Sequence, residues 1–248
     1  MLGNRLHKVS RFSLYAGLSL SFFAVLFIIG SGPGHRFFNL ELKTSLQLFA
    51  LAGYQAVAAI FFLIAASLCL KIAGQRNLYK WTALGLIMSL PIATSAIRMK
   101  RVAGRVPRIH DITTDFSDPP QFVRLLPVRE KCPNGARYGG AAVFEQQLQN
   151  YPHIFTVEIA EPMELIFEKS LKFAKEFGWE IVDSDISTGR IEATDTSFWF
   201  GFKDDVVIRL RKKDGGVKLD LRSASREGIS DLGVNAKRIH KSFQKFIP

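Results

Sequence analysis

The side chains with the strongest claim to a ligand lie near the end of the chain, where Arg222, Ser223, Ser225 and Arg226 run into Ser230-Asp231-Leu232-Gly233. Guanidiniums, hydroxyls and the free N–H groups of a helix N-terminus are the groups that hold a phosphate or carboxylate, and the guanidinium fork matches such an oxyanion at two points. Arg209 and Asp220 on the preceding strands complete this candidate anion or ligand site. Asp231 works against it, because its own charge competes with an anion for the helix end, and as an N-cap it needs no ligand. Structural capping and ion pairing is the preferred reading, with an anion site as the alternative.

A second arrangement sets an acid, Asp205 or Asp220, beside Arg209 or Arg222. An acid next to a cation is the minimum for proton transfer on an anionic substrate, so a membrane-bound hydrolase or transferase is the alternative function. His110, Asp111, Asp115 and Asp118 offer oxygen and nitrogen to a divalent cation, but their spacing fits no cation-binding loop, and a solvated loop is expected instead. There is no His-Glu-x-x-His, no Cys-x-x-Cys, no phosphate-cradling glycine loop and no Gly-x-Ser-x-Gly. No metal and no cofactor are expected, and no residue is assigned to catalysis. The two cysteines, Cys69 and Cys132, predict no disulfide.

These residues need elements to hold them. Residues 153–159 read as a strand, and Glu161-Pro162 opens a helix whose Met163, Phe167, Leu171, Ala174 and Phe177 recur at helical spacing up to a stop at Gly178. Four strands follow, at 179–185, 190–200, 204–212 and 217–225. Taking Asp214-Gly215 as a two-residue turn pairs Leu210 with Leu219, Ile208 with Leu221 and Arg209 with Asp220; a turn at Gly215-Gly216 would instead set Arg209 against Arg222. A last helix, capped by Ser230 or Asp231, turns Leu232, Ala236, Ile239, Phe243 and Phe246 inward and Lys237, Arg238, Lys241 and Lys245 outward. The prediction is an α+β domain over 152–248, order β-α-β-β-β-β-α, with a five-stranded antiparallel sheet and both helices on one face. The other face carries Glu192, Thr194, Asp205, Arg209, Arg211, Lys218, Asp220 and Arg222, an exposed surface of paired charges. Residues 101–151, broken by Pro119, Pro120, Pro127, Pro133 and Gly139-Gly140, read as an extended lead-in, partly packed on the domain.

The first hundred residues are a membrane anchor. Stretches 12–34, 44–70 and 81–97 carry no Asp, Glu, Lys or Arg over 23, 27 and 17 residues, against about 20 residues for a hydrocarbon core of about 30 Å. Transmembrane helices are expected near 12–32, 45–70 and 79–97, the last anchored by Tyr79 and Trp81 at one end and by Arg98, Lys100 and Arg101 at the other. Gly17 to Ser21 and Ala52 to Ala56 have the small-residue spacing that lets helices pack closely. No span holds an ionisable residue of the kind that marks an ion path, which argues against transport.

Charge separates the two halves. The net +11 does not mark a nucleic-acid-binding protein: residues 1–97 hold 8 Lys/Arg and 1 acid, residues 98–108 hold 5 and none, and residues 109–248 hold 20 and 21. The excess hugs the membrane, where Arg98, Lys100, Arg101, Arg105 and Arg108 form a collar suited to anionic lipid headgroups. Arg5, Lys8 and Arg11 favour a cytoplasmic N-terminus, and three crossings then place the C-terminal domain on the outer side of a bacterial inner membrane. The collar opposes that orientation, but long domains translocate largely regardless of charge.

Ile191-Glu-Ala-Thr194, Phe202-Lys-Asp-Asp-Val-Val-Ile-Arg209, Asp220-Leu-Arg-Ser-Ala-Ser-Arg226 with Gly228, Ser230-Asp-Leu-Gly233, Asn235-Ala236 and Arg238-Ile239 resemble the bacterial and plant-plastid proteins grouped as domain-of-unknown-function family fourteen ninety-nine. The similarity covers roughly residues 108–246. Relatives that look like lipoproteins or plastid proteins imply an extracytoplasmic setting, and the family implies no activity. Many relatives carry an Asn-Cys-Val-Ser-like segment where this chain has Lys131-Cys-Pro-Asn134. The expected function is a non-enzymatic integral membrane protein of the cell envelope, whose domain binds an envelope protein or small ligand near the bilayer.

Overall fold

The computed structural model describes residues 2–246, with side chains from Arg5 to Lys245, so the expectation for the Phe246 side chain falls outside the described residues. These residues form two compact units, one running to Gly104 and including Trp199–Gly201, the other formed by Arg105–Phe198 and the residues from Phe202 onward.

In the first unit, α1 (Leu2–Phe38), α2 (Leu42–Ile72) and α3 (Tyr79–Ala103) are three helices long and apolar enough to cross a membrane. Small residues set their spacing. A Cβ on Gly17 would lie 2.7 Å from the Leu63 side chain, and one on Gly53 would lie 2.5 Å from Ala96. Ser21 and Ser89, both fully buried, share a hydrogen bond of 2.8 Å between α1 and α3. Buried Ala52 and Ala56 pack with Ala24, Ile92 and Ala93, so this unit is held by close approach rather than by charge.

The second unit contains β1 (Asp111–Thr113), α4 (Leu126–Arg129), α5 (Ala141–Asn150), β2 (Val157–Ile159), α6 (Met163–Glu176), β3 (Glu180–Asp185), β4 (Arg190–Thr196), β5 (Lys203–Lys213), β6 (Gly216–Ser225) and α7 (Val234–Phe246). All strand pairs are antiparallel. The β5–β6 register is the expected one, with Leu210 opposite Leu219, Ile208 opposite Leu221 and Arg209 opposite Asp220. The sheet has six strands rather than five, in the order β1-β6-β5-β4-β3, and β2 also lies against β6. Two short strands therefore share one edge of β6. Three residues are too few to show alternation, which is why β1 is hidden inside a Pro-rich stretch. Its outer edge is sealed by Gln147 of α5, which accepts from Thr113 N–H (3.1 Å) and donates to its carbonyl (2.7 Å).

Ile191, Ala193, Val206, Ile208, Leu210, Leu219 and Leu221 face α6 and α7 and form the main core with Ile166, Phe167, Phe173, Ile239 and Phe243. Two corrections follow. The opposite face is covered by residues 114–138, so Glu192, Asp205, Asp220 and Arg222 are fully buried rather than exposed. Arg238, expected outward on α7, is only 7% exposed and points into the protein.

Candidate functional site

Alternation along β4, β5 and β6 puts Glu192 and Thr194, Asp205, Arg209 and Arg211, and Asp220 and Arg222 on the covered face. Residues 111–138 bring the groups that neutralise them, in three clusters, two of which meet at one aromatic ring.

Asp205 accepts from Arg129 Nη1 (2.9 Å), Arg226 Nε (2.9 Å) and Thr194 Oγ1 (2.8 Å). Burial pulls the Arg129 pKa down and the Asp205 carboxylate opposes that, offsetting the cost of enclosing the guanidinium. Asp220 Oδ2 accepts from Arg209 (3.0 Å) and Arg211 (2.7 Å), while its Oδ1 accepts from Thr114 (3.2 Å) and Thr156 (2.5 Å). Both arginines reach on to Asp115 and Asp118. The acids weighed as cation ligands are thus bound to guanidiniums. Arg222 holds Asp111 at two points, 3.1 and 2.7 Å, and donates to the carbonyls of Pro120 and Ala136. The Phe122 ring lies 4.4 Å from the Arg129 guanidinium and 4.8 Å from that of Arg222, a cation–π contact on each. Beside it, burial first and the Asp111 charge second push the Tyr138 hydroxyl up to about 12.

Glu192 fastens the cover. Its two oxygens accept the backbone N–H groups of Val123 (2.9 Å), Arg124 (3.1 Å) and Leu125 (2.9 Å), just ahead of α4, and Arg190 lies 3.0 Å from the same carboxylate. Phe122 and Leu125 then pack on Val207 and Ala224.

The residues singled out as an anion site do not converge. Arg209 and Asp220 share one cluster, Arg226 belongs to that of Asp205, and Arg222 is bound by Asp111. Ser223 and Ser225 lie on the opposite face with α7, where Ser223 donates to Asn235 (2.6 Å) and Arg238 bridges Asp195 (2.6 Å) and Asp204 (2.8 Å). Ser230 donates to the Pro107 carbonyl, and Asp231 accepts from the N–H groups of Gly233 and Asn235, both at 2.8 Å. Capping is what Asp231 does here, and burial raises its pKa against those two bonds. Sequence reasoning missed Arg129 and Phe122, whose roles depend on a cover that no local pattern announces, and Asn235, which ties α7 to Ser223, Ser225 and the His110 carbonyl. Away from these clusters a shallow recess of about 300 Å³, lined by Glu161, Met163, Lys212 and Gly216, opens beside the β5–β6 turn.

Asp115 gives the network an acid limit. Burial pushes its pKa up, but hydrogen bonds from Ser117, Asp118 N–H and Arg211, with the charge of Arg209, bring it from 3.8 to about 2. A folded value below the unfolded one contributes stability that is present above the unfolded pKa and lost as pH falls. Full-length protein followed by tryptophan fluorescence is expected to lose stability between about pH 4 and pH 2, and Asp115→Asn to flatten that part of the curve.

A family model described as a protein of unknown function (DUF1499) matches residues 111–246, which takes in all six strands and both the cover and α7. No curated protein and no solved structure matches the chain.

Proposed function

The chain belongs to the DUF1499 family of proteins of unknown function, and from that premise we propose that it is a membrane-tethered, non-catalytic protein whose α+β domain binds an envelope protein or small ligand at the bilayer surface. One observation carries this reading. Every acid and guanidinium that catalysis would draw on, Asp205, Asp220, Arg209 and Arg222, is bonded to another charged group under the cover. A carboxylate whose lone pairs are all engaged, in a site closed to solvent, has no free position from which to take or give a proton. Recognition then falls to the surface of the domain, which the anchor holds close to the bilayer.

Three apolar helices support the tether, and the exposed collar of Arg98, Lys100, Arg101, Arg105 and Arg108 supports contact with anionic lipid headgroups. In this reading the N-terminus is cytoplasmic and the domain extracytoplasmic, in a bacterial inner membrane. Paired reporters that work on only one side of a membrane, fused to the C-terminus, test it. Activity of the outer reporter alone is expected; activity of the inner reporter alone would turn the collar into a positive-inside signal and replace envelope partners by cytosolic ones.

A further inference from the structure

We propose that the β4–β5 loop, residues 197–202, is a second membrane contact that docks the domain on the bilayer interface. The loop reads Ser-Phe-Trp-Phe-Gly-Phe and has no charged side chain. It is a closed tip: Ser197 N–H donates to the Phe202 carbonyl (2.8 Å), Phe202 N–H donates to Ser197 Oγ (2.9 Å), and Gly201 takes φ +72°. A tip pinned in this way presents its aromatic rings without paying to order a long flexible segment. Phe198 is 83% exposed and Trp199 37%. A Phe-Trp pair at a turn suits the headgroup level of a membrane, where an amphipathic indole finds both apolar carbon and a hydrogen-bond acceptor.

Topology places this loop where lipid is. The chain enters the domain at β1, seven residues (104–110) after α3 ends, and those residues span at most about 25 Å. At that entrance Ser225 N–H donates to the His110 carbonyl (2.9 Å), and Arg226 N–H donates to the Lys203 carbonyl (3.0 Å), one residue past the loop. Tether and loop therefore leave the same end of the sheet. In the order β1-β6-β5-β4 they are two to three strand spacings apart, about 10–15 Å. The β5–β6 turn at Asp214 lies at the other end. A domain tethered at one end by a chain leaving the bilayer, with an uncharged aromatic tip at that end, meets the interface tip first.

The inference rests on the tethered reading, and its test separates the two. In full-length protein carrying Cys69→Ser and Cys132→Ser, a spin label is placed at Phe198→Cys, at Asp214→Cys and at the exposed α2 position Phe61→Cys, with reconstitution in vesicles of zwitterionic and anionic phospholipid. The labels at Phe198 and Phe61 are expected to collide with oxygen and be shielded from a water-soluble nickel chelate, and the label at Asp214 to show the reverse. A Phe198 label as open to the chelate as that at Asp214, or closed to both reagents as under a protein cover, overturns the docking while Phe61 leaves the tether intact. Chelate access at Phe61 overturns the tether itself. If Phe198→Cys changes the melting temperature, quenching by brominated lipid of unlabelled Trp81→Phe protein, which lacks the indole of apolar helix α3, decides the question: the quenched component must disappear when Trp199→Phe is added, and its persistence overturns the inference.

Discussion

Asp205→Ala is expected to destabilise the domain by about 3–5 kcal/mol and to lower its Tm by roughly 10 °C. The size follows from what stays behind. Asp205 and Arg129 are 0% and 1% exposed, and the carboxylate also engages Arg226 and Thr194. Alanine leaves a guanidinium in a closed site with its cationic neighbours Arg222 and Arg226, and arginine does not escape by giving up its proton. Arg129 Nη1 retains the Ala224 carbonyl (2.9 Å), which satisfies one N–H but offsets no charge. Removing both charges should cost far less: Asp205→Leu with Arg129→Met exchanges the ion pair for apolar volume under Phe122, a replacement that is often neutral. The measurement is thermal unfolding of the full-length protein in detergent, followed by Trp179, which is 5% exposed in the domain core. A single-variant loss below about 1 kcal/mol would place the pair in the class of solvated surface bridges.

That prediction was only half legible in the sequence. Alternation on β5 and β6 and the Asp214-Gly215 turn determine which residues share a face and that Arg209 meets Asp220, because these are local rules with a two-residue period. The apolar helices are legible for the same reason, since length and composition alone decide them. The partner of Asp205 is not, because Arg129 comes from a Pro-rich segment 76 residues earlier in the chain, in a helix of four residues. Nor is Arg222 with Asp111, 111 residues apart. What hid these pairs was the assumption that a charged sheet face meets water. A strand with charges at every second position fits an exposed face and a face roofed by a matched set of opposite charges equally well, and the matching set lay in the stretch read as a lead-in. Arg238 fails similarly: helical period places it on the rim of the apolar stripe, and Asp195, Asp204 and Ser223 on the sheet, distant in sequence, make the inward position favourable.

Glu192→Ala is expected to unfasten the cover, with a loss of roughly 3 kcal/mol or more. The carboxylate is fully buried and accepts three consecutive backbone N–H groups, from Val123, Arg124 and Leu125, and each donor stranded without an acceptor costs about 1–3 kcal/mol. The segment has an escape that Arg129 lacks, because its N–H groups recover water if residues 119–125 lift away, which caps the penalty and turns part of it into local opening. Hydrogen exchange at 123–125 should then rise more steeply than exchange in β5 and β6. Glu192→Gln should fall between the two, since an amide keeps one acceptor oxygen and turns a donor toward Leu125 N–H while removing the charge partner of Arg190. The same experiment weighs binding against catalysis. A hydrolase or transferase using Asp205 or Asp220 must lift this cover in every cycle, so wild-type exchange at 123–125 would already far outrun that of the sheet, and turnover of phosphate or carboxylate esters would change when Glu192 is replaced. A cover that belongs to the architecture instead exchanges with the core in the wild type and parts from it only when Glu192 is lost.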